Sequence, residues 1–191
     1  MCSSDLSATM DVAVVFGPGA ETHNAVPGAL SYIDPRLPEL GVRVLTPAGQ
    51  AGKMLGLPEA PLADYEALRL SLGVPDGSRD LPVEKALLLE SGFDELNGVD
   101  WKKGCYMGQE LTARTKYRGL VKKRLFPVKV EGALPAPGTA IERNGEEVGE
   151  IRSGAGNRAL AMLRLEALEG ALTAGGARIV PQKPDWMKLP D

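Results

Sequence analysis

The stretch "AIERNGEEVGEI", residues 140–151, decides how the second half of the chain folds. Asn144-Gly145 is the dipeptide most strongly tied to a two-residue β-hairpin, because both central positions of that turn need positive φ. Strands are therefore expected on either side of it. Upstream, "RLFPVKV" at 124–130 alternates Phe126, Val128 and Val130, the period of a half-buried strand, with Pro127 confined to an edge or a bulge. Downstream, "ALAMLRL" at 159–165 and "ARIVP" at 177–181 supply further short strands. Short strands punctuated by glycine and proline predict a small β-barrel or sandwich over residues 120–183. Residues 184–191, "PDWMKLPD", are expected to form a polar tail.

The first half has a different texture. "DVAVVFGPG" predicts a strand over 12–16, and "SYIDPRLPELGVRVLTP" predicts a turn at 34–36 and a strand over 42–45. Residues 49–61 are loop or weak helix. "LADYEALRLSLGV" places Tyr65, Leu68 and Leu72 at helical spacing, with Gly73 as the stop. "DLPVEKALLLESG" predicts a second helix capped by Asp80 and ended by Gly92. Strands mixed with helices make this half an α+β layer.

Composition narrows the function classes. The chain has 191 residues and a net charge of −3, so global charge names no partner. No run approaches the roughly 18 apolar residues of a membrane-spanning helix, so no membrane role is expected. With two cysteines, Cys2 and Cys105, no structural disulfide is expected and a reducing compartment is the default. One back-translation of "MCSSDL" matches the end of a common sequencing adapter, so residues 1–6 are read as an adapter artefact, with an ordinary disordered N-terminus as the alternative.

Charge is concentrated. Between Trp101 and Arg124 there are eight basic residues and one acid, Glu110. A solvated basic face and an anion or partner site both remain open. Inside this run lies "KGCYMGQE", residues 103–110, ahead of a helix predicted to end near Gly119. A helix starting near Gly108 would point free N–H groups back toward Cys105 and, with Lys102 and Lys103, favour its thiolate. Cys105 is then a buried hydrophobe, a nucleophile or a metal ligand. A cysteine–histidine hydrolase site needs a histidine, and the single one is His23 in "ETHNA", a surface-like loop. A closed zinc or iron–sulfur site needs about four ligands, so Cys105 could only share one. Neither phosphate-loop pattern occurs.

"KGCYMGQE", followed by "LTARTKYRGLVKKRLFPV" and preceded by "DPR", "YEALRLSLGVPDG" and "LNGVDWKKG", resembles the YgfZ-type folate-binding proteins. These are relatives of the glycine-cleavage T-protein (GcvT, an aminomethyltransferase). "QELTART" and "KRLFPV" resemble in particular the mitochondrial-type branch, which supports late [4Fe-4S] cluster maturation. The resemblance implies a GcvT/YgfZ-like fold, with a ferredoxin-like mixed α/β layer over 7–119 that takes part in folate binding, then the barrel. It implies that a family N-terminal portion is absent here, so the chain is read as N-terminally truncated.

The resemblance further implies an accessory factor for iron–sulfur cluster assembly, not necessarily an enzyme, that binds tetrahydrofolate. Cys105 would be a reactive thiolate, or a ligand to a transient cluster shared with an iron–sulfur carrier or assembly protein. Lys103 would hold its charge. Gln109 and Glu110 would fix the loop, with Glu110 alternatively touching ligand. Arg114 would meet folate carboxylates. Lys103, Gly104, Cys105, Tyr106, Gly108, Gln109 and Glu110 form the motif, Tyr106 serving as packing or as a stacking platform. The rival is a tetrahydrofolate-dependent aminomethyl transferase. Nucleic acid is not expected, since few aromatics interleave the basic run. The expected compartment is a bacterial, α-proteobacterial cytoplasm, or the mitochondrial matrix of a eukaryote.

Overall fold

The computed structural model describes residues 8–119 and 121–189. The expected artefact at residues 1–6 lies outside them. The chain divides into two compact units at Tyr65/Glu66, each described by itself.

The first unit is built on β1 (Met10–Val15), β2 (Leu30–Ile33) and β3 (Val42–Pro47), in the antiparallel order β1-β3-β2. This is what stands, among the described residues, where a ferredoxin-like layer was expected. The first strand starts two residues earlier than its apolar run, because Met10 still pairs with Pro47 and Asp11 with Thr46. Val15, Ala20, Val26, Val42 and Val44 form the core, with Met54 and Leu55 of a short helix α1 (Ala51–Leu55) laid against them. The "DPR" turn holds a buried charge. Asp34 Oδ2 accepts from Arg36 Nη2 at 2.8 Å and from Arg43 Nε at 2.7 Å. Burial opposes ionisation of Asp34, but the two guanidinium hydrogen bonds outweigh it and lower its pKa to about 2.

The second unit is organised by a closed six-stranded barrel. Its strands are β4 (Lys123–Glu131), β5 (Ala140–Arg143), β6 (Glu146–Ala155), β7 (Arg158–Arg164), β8 (Leu172–Ala174) and β9 (Ala177–Pro181), in the order β4-β7-β6-β5-β8-β9. β4 pairs with both β7 and β9, which closes the ring and removes the free edges. Asn144 and Gly145 have φ of 55° and 82°, as the hairpin requires. Phe126, Val128 and Val130 point inward as their alternation predicts. Pro127 sits where β9 runs out. Its carbonyl accepts from Gln182 N just past that strand, so its missing N–H faces a local edge.

The outer face of the barrel is apolar as well, which alternation alone does not suggest. Leu125, Leu160 and Met162 pack against Leu70 of helix α2 (Leu62–Leu72). The buried residues of that helix are therefore Arg69 and Leu70, whereas Tyr65, Leu68 and Leu72 are only partly covered. Gly73 ends the helix with φ +74°, and a Cβ there would stand 2.9 Å from the Pro127 ring.

Two expectations change. Residues 81–97 form a chain of turns, not a helix capped by Asp80. Asp80 is instead the last residue of a single helical turn α3 (Gly77–Asp80). Its carboxylate is committed to Arg69 Nη1 and the Ser153 N–H, so it is not free to cap a helix over 81–92, and Glu84 takes a positive φ of 62°. The C-terminal stretch is packed rather than trailing over its described part. Met187 is buried in the barrel core, and Trp186 Nε1 donates to Leu72 O at 2.7 Å.

Candidate functional site

Helix α4 (Gln109–Tyr117) begins at Gly108 in the left-handed region, φ 87°, and carries good helix formers in Gln109, Glu110, Leu111, Ala113 and Lys116. Its C-terminal half is anchored to the turns before it. Lys116 Nζ lies 2.8 Å from Asp94 Oδ2 and 4.1 Å from the centre of the Trp101 ring, while Trp101 Nε1 donates to Asp94 Oδ1 at 2.7 Å. Thr115 is buried. Burial raises the Asp94 pKa, but the Lys116 and Trp101 hydrogen bonds overcome this and lower it overall.

The motif loop is latched to the first turn of that helix. The Tyr106 N–H donates to Gln109 Oε1 and the Gln109 N–H donates back to Tyr106 O, each at 3.2 Å. Gly104 and Gly108 are there for their positive φ, not for space, since a Cβ at either would meet nothing. Lys103 Nζ rests 4.4 Å from the centre of the Tyr106 ring. Tyr106 thus packs as a platform under a cation, and its buried hydroxyl finds no partner among the described residues.

This latch leaves Cys105 exposed with a free thiol. Cys105 is no buried hydrophobe. Gln109 Oε1 holds the Tyr106 N–H, whereas Glu110 makes no cap: its side chain is 90% exposed and lies 3.8 Å from Arg114 Nη2. No group of three or more His, Cys, Asp or Glu side chains gathers for a metal among the described residues. Cys105 therefore offers one ligand. His23 belongs to the first unit, where its Nδ1 lies 3.1 Å from Thr22 Oγ1.

The basic run splits into two populations. Arg124 is buried and pairs with Glu95 Oε1 at 2.8 Å, and Lys116 is held by Asp94. These two are structural. Lys102, Lys103, Arg114 and Arg118 remain exposed around the motif. Asp94, Glu95 and Trp101 give no signal in sequence as partners, because their contacts cross 22 to 29 residues for the ion pairs and depend on the turns at 81–97.

Beside the loop runs a groove of about 180 Å³ lined by Ala86 to Leu89, Tyr106, Met107, Leu111 and Thr115. That is below the roughly 300–1,000 Å³ of small-molecule pockets. Arg114 supplies only an exposed guanidinium of the kind that takes a carboxylate.

Comparison with known proteins yields, among others, four matches. Residues 122–189 match the family described as the CAF17 C-terminal β-barrel domain. The chain is 44% identical over 172 residues to the mitochondrial iron–sulfur cluster assembly factor IBA57 of Mus musculus, covering 80% of this chain and 46% of that protein. It is 43% identical over 172 residues to IBA57 of Homo sapiens, covering 83% and 47% respectively. The crystal structure of glycine cleavage system aminomethyltransferase T from Bartonella henselae superposes with a TM-score of 0.60 at 16% identity, over 77% of this chain and 46% of that one. The likeness to the last is one of fold. The chain spans about half the length of the curated relatives it matches.

Proposed function

The chain is a homologue of the IBA57 iron–sulfur cluster assembly factors with a GcvT-like fold and a CAF17-type barrel, and from that premise we propose that it assists [4Fe-4S] cluster maturation through Cys105. The observation that carries the reading is the exposed thiol on a latched loop, in a chain where no group of three or more His, Cys, Asp or Glu side chains gathers for a metal among the described residues. Such a thiol can donate one ligand to a cluster, as cargo, whose other ligands come from an iron–sulfur carrier or assembly protein. Thiolate is the ligating form, and exposure lets the sulfur meet the partner. Gln109 and the two glycines hold the loop; Lys103 and Tyr106 shape its base.

Folate would be a ligand whose glutamate carboxylates the exposed Arg114 attracts. The relatives are mitochondrial proteins, which supports the matrix rather than a bacterial cytoplasm as the working compartment.

The test pairs the full chain with the Cys105→Ala variant. Under anaerobic conditions each is mixed with a cluster-loaded monothiol carrier, and cluster-dependent enzymes are assayed in cells lacking the native gene. A cluster spectrum shared between the two proteins, and rescue of the enzymes, is expected for the unsubstituted chain only. Equal behaviour of the variant removes Cys105 from the function.

A further inference from the structure

The groove beside the motif is walled by apolar groups and open to water. Met107 is 99% exposed, Leu111 57% and Leu88 38%. Three apolar side chains so placed on one short surface, one from the latched loop, one from α4 and one from the 81–97 turns, are costly to leave hydrated. The Tyr106 hydroxyl, buried at the same wall, has no partner among the described residues.

The surrounding charge is of one sign in excess. Lys103 lies on the Tyr106 ring that forms one wall. Lys85, next to Ala86, lines a neighbouring cavity with Glu90 and Lys123, and Arg118 is exposed. Arg118, the C-cap residue just past α4, follows Leu111 and Thr115 by seven and three residues, the spacing of that helix face. Arg114 follows Leu111 by three. The acids on these same segments are Glu84, Glu90, Asp100 and Glu110; burial raises the Glu90 pKa, Asp100 accepts the Lys102 N–H, and Glu110 is offset by Arg114.

We propose that this groove docks an acidic polypeptide segment of a partner protein, one apolar side chain of which seats between Met107, Leu111 and Leu88 while flanking carboxylates meet Lys103 and Arg118. The proposal rests on the reading of Cys105 as a shared ligand, which demands a protein held next to the loop. Charge complementarity selects an acidic segment. The concave wall selects an inserted side chain over a flat lipid surface. The volume of about 180 Å³ suits one side chain, not a helix face. Docking there would bring the partner to Met107, two residues from the thiol, and turn a bimolecular cluster handover into a local one.

The experiment uses the full chain labelled at its methionine methyl groups. The six methionines give six methyl signals, and Met107→Leu assigns the one of interest. The probes are twelve-residue capped peptides of Asp and Glu with a single central Leu, Ile, Phe or Met. A saturable shift of the Met107 signal is expected with at least one of them. It should vanish when the central residue is Ser, or when Lys replaces the acids, and weaken as salt rises. Met107→Asp and Leu111→Asp should each lower affinity about tenfold or more. Both positions are exposed, so the fold, checked by circular dichroism, should survive.

Peptide affinity that ignores both variants overturns the groove. A Met107 shift produced only by phosphatidylserine vesicles overturns the protein partner in favour of a membrane. A shift driven by protein concentration alone assigns the surface to a second copy of this chain and overturns the acidic segment. No shift with any peptide also overturns the proposal. Cys105→Ala should leave peptide binding unchanged, so failure of docking and failure of the cluster function are separately visible.

Discussion

Arg69 and Asp80 form a buried ion pair, Nη1 to Oδ2 at 2.8 Å, with side chains 4% and 0% exposed. The same guanidinium donates to Val74 O and Ser153 Oγ, and Asp80 Oδ1 accepts the Ser153 N–H at 2.9 Å. Ser153 sits where the β6–β7 register slips, which frees its N–H from the ladder. One carboxylate thus ties α2 and α3 to a bulge in the barrel.

Asp80→Ala should destabilise the second unit by about 3–5 kcal/mol, because it strands a buried guanidinium and an N–H. Trp101 and Trp186 are the two tryptophans and both lie in this unit. Fluorescence-monitored urea unfolding of the full chain therefore reads it selectively. A midpoint equal to that of the unsubstituted protein would show the pair to be dispensable.

The barrel is legible in the sequence because its signals are local: an Asn-Gly turn and alternating Phe126, Val128 and Val130. Asp80 misleads because an acid before Pro82 looks like a cap, and nothing local says that Arg69 and Ser153 claim it. Leu125, Leu160 and Met162 are equally opaque, since only the placing of α2 explains an apolar outer face. At the site, Cys105 and its glycines stand out by spacing. Arg124 does not separate from its basic neighbours, because burial beside Glu95 is a property of the fold.

Gly73→Ala should be costly for two reasons that add. The position needs φ +74°, worth about 1 kcal/mol against alanine. The new Cβ would also stand 2.9 Å from the Pro127 ring, so α2 must shift on β4. The same tryptophan-monitored unfolding should show a loss of more than about 1 kcal/mol. A loss no larger than that of an exposed glycine in a turn would show that the contact with Pro127 relaxes freely.

Acid should weaken the first unit through Asp34. Its folded pKa is about 2, below the roughly 3.9 of an unfolded aspartate. A depressed pKa contributes stability that is full above about pH 4 and is lost as pH falls through about 2. The contribution is roughly 2 kcal/mol, since the carboxylate is sealed beneath Arg36 and Arg43. Amide spectra of residues in β2 and β3, followed from mildly acidic to strongly acidic pH in moderate urea, should show this loss. Asp34→Asn should be less stable near neutral pH and show a flatter acid limb. An acid limb unchanged by that substitution would place the sensitivity elsewhere.

Lys116→Met should separate anchoring of the motif from its chemistry. The pair with Asp94 is partly exposed, 35% and 30%, so its loss should cost no more than about 1 kcal/mol in global stability. Its local effect should be larger, because Asp94 loses the cation that lowers its pKa and Trp101 loses the cation over its ring. Hydrogen exchange at the Tyr106 and Gln109 amides, which close the latch, should quicken while barrel amides such as Ile151 keep their protection. The Cys105 thiol should stay reactive toward a thiol reagent, yet cluster handover should slow, since the loop no longer presents it in one position. Unchanged exchange at Tyr106 and Gln109 would show that the latch stands without the Asp94–Lys116 anchor and that Thr115 alone seats the helix.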